Sequence, residues 1–135
     1  MNSLAHIEIN VSNLQKSKEF YLKILTLLNW RMTCDCDDSV GFKGKDNTHL
    51  FLVQTADSFI SNIFHRKYTG LNHIAFRVES KQVVEEFSSF LKNNNITSLY
   101  TSDPKDYSEE YNMEEYYAVY FEDPDRIKLE VVFMK

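Results

Sequence analysis

The chain has 135 residues, of which 43% are hydrophobic, and a formal net charge of -5 at pH 7. This length suits one domain with a substantial core and is too short for two independent domains of usual size. The acidic balance argues against nucleic acid and anionic membranes as partners, because both are bound through cationic surfaces, and it favours a small-molecule ligand.

Two stretches of the sequence share one pattern. Residues 4–12 predict a β-strand, and an amphipathic helix follows with Ser12 or Asn13 as its cap. Residues 71–79 predict a matching strand, and the helix after it has Ser80 as a cap and three asparagines, 93–95, as a stop. His6 and His73 hold the same place in the two strands, at an offset of 73 − 6 = 67 residues.

Three strand-like segments follow each predicted helix. They span residues 30–35, 39–43 and 48–54 in the first half, and 97–101, 116–121 and 127–133 in the second. The duplication predicts an α+β fold of two tandem βαβββ modules within one domain, 1–135. Module 1 covers about 4–57, a linker covers 58–70, and module 2 covers about 71–134. The acidic, tyrosine-rich insertion 102–115 either covers a site or is a solvated connector.

Strand alternation places His6 and His73 on matching faces of the two modules. Glu130 lies between apolar neighbours in the last strand, where a buried carboxylate needs a cation or several hydrogen-bond donors. Two histidines and a carboxylate in one cavity would suit one divalent ion, such as Mn, Fe, Co, Ni or Zn. The alternative is that the histidines belong to the core and that Glu130 pairs with Lys128 or Arg77.

Three segments resemble the signature regions of the vicinal-oxygen-chelate superfamily of glyoxalases, bleomycin-resistance proteins and dioxygenases. They are LAHIEINVSNLQKSKEFY, GLNHIAFRVES and YYAVYFEDPDRIKLEVV, and the resemblance covers nearly the whole chain. With HLFLVQ and FHRKYTGLNHIAF, the sequence is most similar to an uncharacterised bacterial glyoxalase-like subgroup. The resemblance implies a cupped mixed sheet around a central metal and ligand cavity. It also implies that His6, His73 and Glu130 bind the metal and that Glu130 is catalytic.

One position departs from glyoxalase I, which carries a carboxylate as its fourth metal ligand. Alignment of 48–52 with 127–131 places Phe51 at the position equivalent to Glu130, and a phenyl ring neither binds metal nor accepts a proton. The resemblance therefore argues against true glyoxalase I activity. A three-ligand set is instead similar to those of fosfomycin-resistance thiol transferases and extradiol dioxygenases.

Four further residues are candidates for substrate binding: His49, Phe51, Arg66 and Tyr117. His49 shares a strand face with Phe51 and is a candidate ligand, substrate contact or rim residue. Arg66 can bind a substrate carboxylate through its planar guanidinium, or it can pair with an acidic loop. Tyr116 and Tyr117 are adjacent in a strand, so at most one of them lines the cavity.

The expected function is that of a metal-dependent enzyme whose ion acts as a Lewis acid on a small substrate with vicinal oxygens. The alternative is a non-catalytic protein that sequesters a drug or metabolite, as bleomycin-binding relatives do. The resemblance also implies a homodimer. With neither a signal-peptide pattern nor an apolar run of about 18 residues, the expected location is the cytoplasm.

Overall fold

The chain divides into two compact units with the boundary between Ile63 and Phe64, inside the predicted linker. The computed structural model describes residues 4–135. The first unit contains β1 (His6–Val11), α1 (Leu14–Leu27), β2 (Arg31–Asp35), β3 (Ser39–Lys43) and β4 (His49–Gln54). The second contains β5 (His73–Arg77), α2 (Lys81–Asn93), β6 (Ser98–Leu99), β7 (Lys105–Asp106), α3 (Ser108–Tyr111), β8 (Tyr116–Glu122) and β9 (Lys128–Met134).

Each unit forms one mixed sheet in which the first and last strands are parallel neighbours. The strand order is β1-β4-β3-β2 in the first sheet and β5-β9-β8-β6 in the second, where β7 also pairs with β8. The pairs β1–β4 and β5–β9 are parallel, and the other pairs are antiparallel. These sheets confirm the predicted α+β fold of two βαβββ modules.

The two long helices begin and end at residues that the sequence marks for those roles. The side chain of Asn13 accepts a hydrogen bond of 2.9 Å from the third backbone N–H beyond it, and Ser80 does the same at 3.3 Å. Asn29 and Asn95, just beyond the helices, have φ values of 62° and 55°. Asparagine tolerates this left-handed conformation better than most residues, so the helices stop there.

Each long helix covers one face of the sheet in its own unit. The buried residues of the first unit include Ile9, Val11, Tyr21, Ile24, Leu25, Val40, Phe42, Leu50 and Leu52. Those of the second include Ile74, Phe76, Val84, Phe87, Leu91, Phe121, Leu129 and Val131. The alternate strand residues, among them His6 and His73, lie on the face away from the helix.

The second unit differs in detail from the sequence prediction. The strand predicted over 97–101 is reduced to Ser98–Leu99, because Tyr100 takes a left-handed φ of 69°. The insertion 102–115 is not a plain connector, since it forms β7 and α3. The last strand begins at Lys128 rather than Ile127, after Arg126 adopts a φ of 65° in the preceding turn. None of the helices within residues 4–135 has the length and apolar character needed to cross a membrane.

Candidate functional site

Glu130 is a fully buried carboxylate in β9, on the face of the second sheet that α2 does not cover. The hydroxyl of Tyr116 donates a hydrogen bond of 2.7 Å to Glu130 Oε1. The other carboxylate oxygen, Oε2, lies 3.0 Å from His73 Nε2 but receives no hydrogen bond. A buried carboxylate oxygen without a donor is costly, so this atom requires a proton or a cation beside it.

The ring of His73 is oriented by its neighbour in the chain. His73 Nδ1 lies 2.7 Å from Asn72 Oδ1, and because a carbonyl oxygen only accepts, Nδ1 must carry the proton. In a neutral imidazole this leaves the lone pair of Nε2 free to bind a cation. His73 Nε2 and Glu130 Oε2 therefore lie at short distance without a hydrogen bond between them.

This pair fits two adjacent ligand positions of one divalent ion. Ligand atoms about 2.1 Å from an ion and about 90° apart are separated by about 3.0 Å. The 3.0 Å between His73 Nε2 and Glu130 Oε2 matches that separation. The proton on Nδ1 and the hydrogen bond to Oε1 are outer contacts of the kind that hold metal ligands in place. Within the described part of the chain, no three His, Cys, Asp or Glu side chains form a metal-binding cluster.

The tyrosine-rich insertion covers the Glu130 face of the second sheet. Ring contacts join Tyr107 and Tyr111 of the insertion to Tyr116 and Tyr120 of β8. Burial, together with the hydrogen bond to Glu130, raises the pKa of Tyr116 above its usual value. Burial also raises the pKa of Tyr120, with further effects from the Tyr111 hydroxyl and the Glu130 charge. The phenols thus stay protonated and act as donors beside the carboxylate.

Two predicted substrate-binding residues of the second unit have protein partners. Arg66 forms an ion pair with Glu122, which corresponds to the acidic-partner alternative for this residue. Tyr117 donates a hydrogen bond to Glu85 of α2, and this contact raises the pKa of Tyr117 to about 12. Tyr116, on the opposite face of the strand, is the member of the tyrosine pair that contacts Glu130.

The remaining predicted residues lie together on the open face of the first sheet. The ring of Phe51 stacks on His49 and meets His6 edge-on, with both centroid distances at 5.8 Å. Phe51 pairs in register with Glu8, as Glu130 pairs with Ala75 in the second sheet. Phe51 therefore occupies the sheet position that Glu130 occupies in its own unit, as the sequence alignment predicts.

A separate cleft of about 460 Å³ lies elsewhere in the first unit. It is formed by the first turn of α1, the β2–β3 hairpin and Gln54. The side chain of Gln54 accepts from Leu14 N at 2.9 Å and donates to Ser12 O at 3.0 Å. The polar groups at this cleft are thus largely occupied in holding the start of α1, and we assign it no chemistry.

The sequence analysis did not identify Asn72, and it selected Tyr117 rather than Tyr116 as a site residue. The signal for Asn72 is its place directly before His73, where a short amide can reach Nδ1. The signal for Tyr116 is weaker, because its contact with Glu130 depends on the β8–β9 register. That register places Tyr120 directly opposite Glu130 and Tyr116 four residues away on the same strand face.

The chain is similar in sequence and structure to several bacterial proteins. The chain is 35% identical over 127 residues to the uncharacterized protein YqjT of Bacillus subtilis strain 168, a match that covers 94% of this chain and 95% of that protein. A solved Bacillus halodurans structure, provisionally assigned as a glyoxalase, is 36% identical with a TM-score of 0.82, covering 96% of this chain and 94% of that one.

A more distant structure shares the fold. The genomically encoded fosfomycin resistance protein of Listeria monocytogenes has a TM-score of 0.72 at 19% identity, covering 100% of this chain and 95% of that one. Residues 3–131, which are nearly the whole chain, match the model of one protein family. The chain belongs to the Glyoxalase/Bleomycin resistance protein/Dioxygenase superfamily.

Proposed function

We propose that this protein is a metal-dependent enzyme in which His73 and Glu130 bind one divalent ion that acts on a small substrate with two neighbouring oxygens. The proposal rests on the 3.0 Å approach of His73 Nε2 to Glu130 Oε2 without a hydrogen bond to the carboxylate oxygen. The resemblance to the superfamily assigns the third ligand to His6, and that assignment stays a prediction.

The donor set indicates which ions are suitable and what they do. Imidazole nitrogen and carboxylate oxygen suit Mn, Fe, Co, Ni or Zn. When bound, such an ion supplies Lewis acidity that polarises a substrate oxygen. Three protein ligands leave coordination positions open for the substrate, whereas structural zinc sites usually have four protein ligands.

The residues around the pair have separate roles in this proposal. Asn72 fixes the proton of His73 on Nδ1, so that Nε2 is free to bind. Tyr116 occupies Glu130 Oε1, so that Oε2 faces the ligand. The resemblance to the superfamily also assigns Glu130 a catalytic role as a proton acceptor, and that role stays a prediction.

Metal binding is the first expected result. Protein purified without chelator and offered Mn, Co, Ni or Zn should retain close to one ion per chain by elemental analysis. His73→Ala should lose most of that metal.

The matched control is His65→Ala, since His65 contacts Tyr68 and Lys67 and has no contact with Glu130. His6→Ala tests the third ligand in the same assay. Equal metal content in wild type and His73→Ala would reject the proposal.

The alternative function is non-catalytic sequestration of a small molecule. It is favoured by the tyrosine rings on the Glu130 face, because aromatic side chains provide a large and rigid contact surface for a ligand. A sequestering protein should keep its ligand after the metal is removed with a chelator, and it should release that ligand unchanged. A metalloenzyme should lose affinity on metal removal and release a product.

Homodimerisation is a further expected result. Relatives with two modules per chain often complete each site with modules from both subunits, whereas others close it within a single chain. Sedimentation at tens of micromolar protein should therefore show a dimer, since specific assemblies of this type associate at micromolar concentrations or below. A sedimentation profile with monomer alone at that concentration would contradict the prediction.

A further inference from the structure

Lys128 lies beside the His73–Glu130 pair on the same sheet face. It is the direct parallel neighbour of His73 in the register of β5 and β9, and it precedes Glu130 by two residues. Strand alternation puts residues 128 and 130 on one side of β9. The Lys128 side chain therefore leaves β9 on the same face as the proposed metal ligands, although sequence reasoning treated Lys128 only as a possible ion-pair partner of Glu130.

Two aromatic rings hold the Lys128 ammonium in place. Its Nζ is 5.2 Å from the centroid of the Tyr120 ring and 5.6 Å from that of the Tyr100 ring. The side chain is half-buried between them. Cation–π contacts at these distances orient an ammonium group but do not neutralise it.

No carboxylate within residues 4–135 forms an ion pair with Lys128. Its cross-strand neighbour, Glu122, is the obvious candidate, but Glu122 binds Arg66 and also lies 3.7 Å from Arg126 Nε. Glu130 lies on the same sheet face, but its Oε1 accepts from Tyr116 and its Oε2 faces His73 rather than forming an ion pair with Lys128. A half-buried ammonium that is oriented by aromatic rings and has no anionic partner is suited to bind an anion from solution.

We infer that Lys128 is an anion-recognition residue and that the ligand of this site is a small oxyanion, a carboxylate or phosphonate with a second oxygen on the neighbouring atom. The anionic group binds the Lys128 ammonium while the second oxygen faces His73 and Glu130. The role of the second oxygen rests on the proposed function, whereas the role of Lys128 does not. An ion beside Lys128 would add positive charge and strengthen the preference for an anion.

The test uses three probes that differ in one group: glycolate, hydroxymethylphosphonate and neutral ethane-1,2-diol. Calorimetric titration of the full-length protein, with and without bound Zn or Co, gives each dissociation constant. At least one anion should bind wild type in the millimolar range or tighter, and the diol should bind more weakly. Lys128→Met should weaken anion binding by about 10- to 100-fold, because it removes a charge-assisted hydrogen bond and keeps the apolar stem.

Two variants serve as controls. Lys92→Met removes the same charge from α2, where Lys92 pairs with Asp103, and should leave anion affinity unchanged. Lys128→Arg should restore most of the anion affinity that Lys128→Met loses. The tighter of the two anions identifies the headgroup as carboxylate or phosphonate. Melting temperatures recorded for all variants show whether any loss of binding reflects unfolding.

The outcomes separate this inference from the proposed function. If wild type binds metal but Lys128→Met binds both anions as wild type does, the inference is overturned and the metal site stands. Failure of both anions to bind wild type in the millimolar range also overturns it. If no metal binds, yet anion affinity falls in Lys128→Met and recovers in Lys128→Arg, the inference stands and the proposed function is rejected.

Discussion

Replacing Glu130 by glutamine should lower the affinity for a divalent ion by about 100-fold or more while leaving the metal-free protein at least as stable as wild type. Loss of an outer contact to a metal ligand typically costs about 10- to 100-fold in affinity, so loss of an anionic ligand should reach or exceed the upper value. Competition with a coloured chelator measures this change.

The expected effect of Glu130→Gln on the stability of the metal-free protein has the opposite sign, because Glu130 Oε2 has no hydrogen-bond partner. In the metal-free protein, Tyr116 donates to Oε1 of the buried Glu130 carboxylate, whereas Oε2 lies 3.0 Å from His73 Nε2 without a hydrogen bond. A glutamine at this position can accept from Tyr116 and donate to His73 Nε2. The free energy of unfolding in the presence of chelator should therefore rise by about 1–3 kcal/mol.

Glu109→Gln is the matched control, because Glu109 lies on the exposed surface of α3. It should change neither metal affinity nor the free energy of unfolding beyond about 0.5 kcal/mol. A Glu130→Gln protein that binds metal like wild type would mean that this carboxylate is not a ligand. One that is less stable without metal would mean that Oε2 has a stabilising partner in solution.

Wild type should not isomerise the hemithioacetal of methylglyoxal and glutathione at the rate of a glyoxalase I. The reason is Phe51, which occupies in the first sheet the register position that Glu130 occupies in the second. A positioned base contributes about 10²–10⁴-fold to proton transfer, so the rate should be lower than that of a glyoxalase by about that factor. Thioester formation, followed by absorbance, measures the rate with each candidate metal.

Two variants sharpen this test. Phe51→Glu places a carboxylate at the register position in question and should increase the rate or the metal affinity. Phe51→Leu is its control and should do neither. His49 stacks on Phe51 and is the neighbouring residue most able to substitute as a base. A wild-type rate comparable to that of glyoxalases, abolished by Glu130→Gln, would mean that the assignment of Phe51 to the base position is wrong.

The sequence predicted the features that depend on local patterns. Alternating strands, the capping residues Asn13 and Ser80, and the duplicated histidines each need only a few neighbouring residues for their interpretation. The placement of Glu130 near His73 was implied by the resemblance to the superfamily, and the parallel pairing of β5 with β9 brings the two side chains together. These elements set which side chains share a sheet face.

The contacts that the sequence did not predict depend on tertiary structure. Tyr116 reaches Glu130 because β8 and β9 pair in one specific register, which polar and apolar residues in the two strands do not determine uniquely. The insertion 102–115 has no strong strand or helix period, so its packing of Tyr107 and Tyr111 against β8 was not apparent. The contacts of the Lys128 ammonium with the Tyr100 and Tyr120 rings also depend on tertiary structure, and the sequence did not predict them.

The tyrosine-bearing insertion has a small entropic cost. The parallel partners of the first sheet, His6 and His49, are 49 − 6 = 43 residues apart, and those of the second, His73 and Lys128, are 128 − 73 = 55 apart. Loop-closure entropy grows only with the logarithm of length, so the longer connection costs about 0.2 kcal/mol more. Segments of different length or composition could therefore replace this one at little entropic cost, and change the shape and chemistry of the surface over Glu130, while the strands that position His73 and Glu130 keep their pairing.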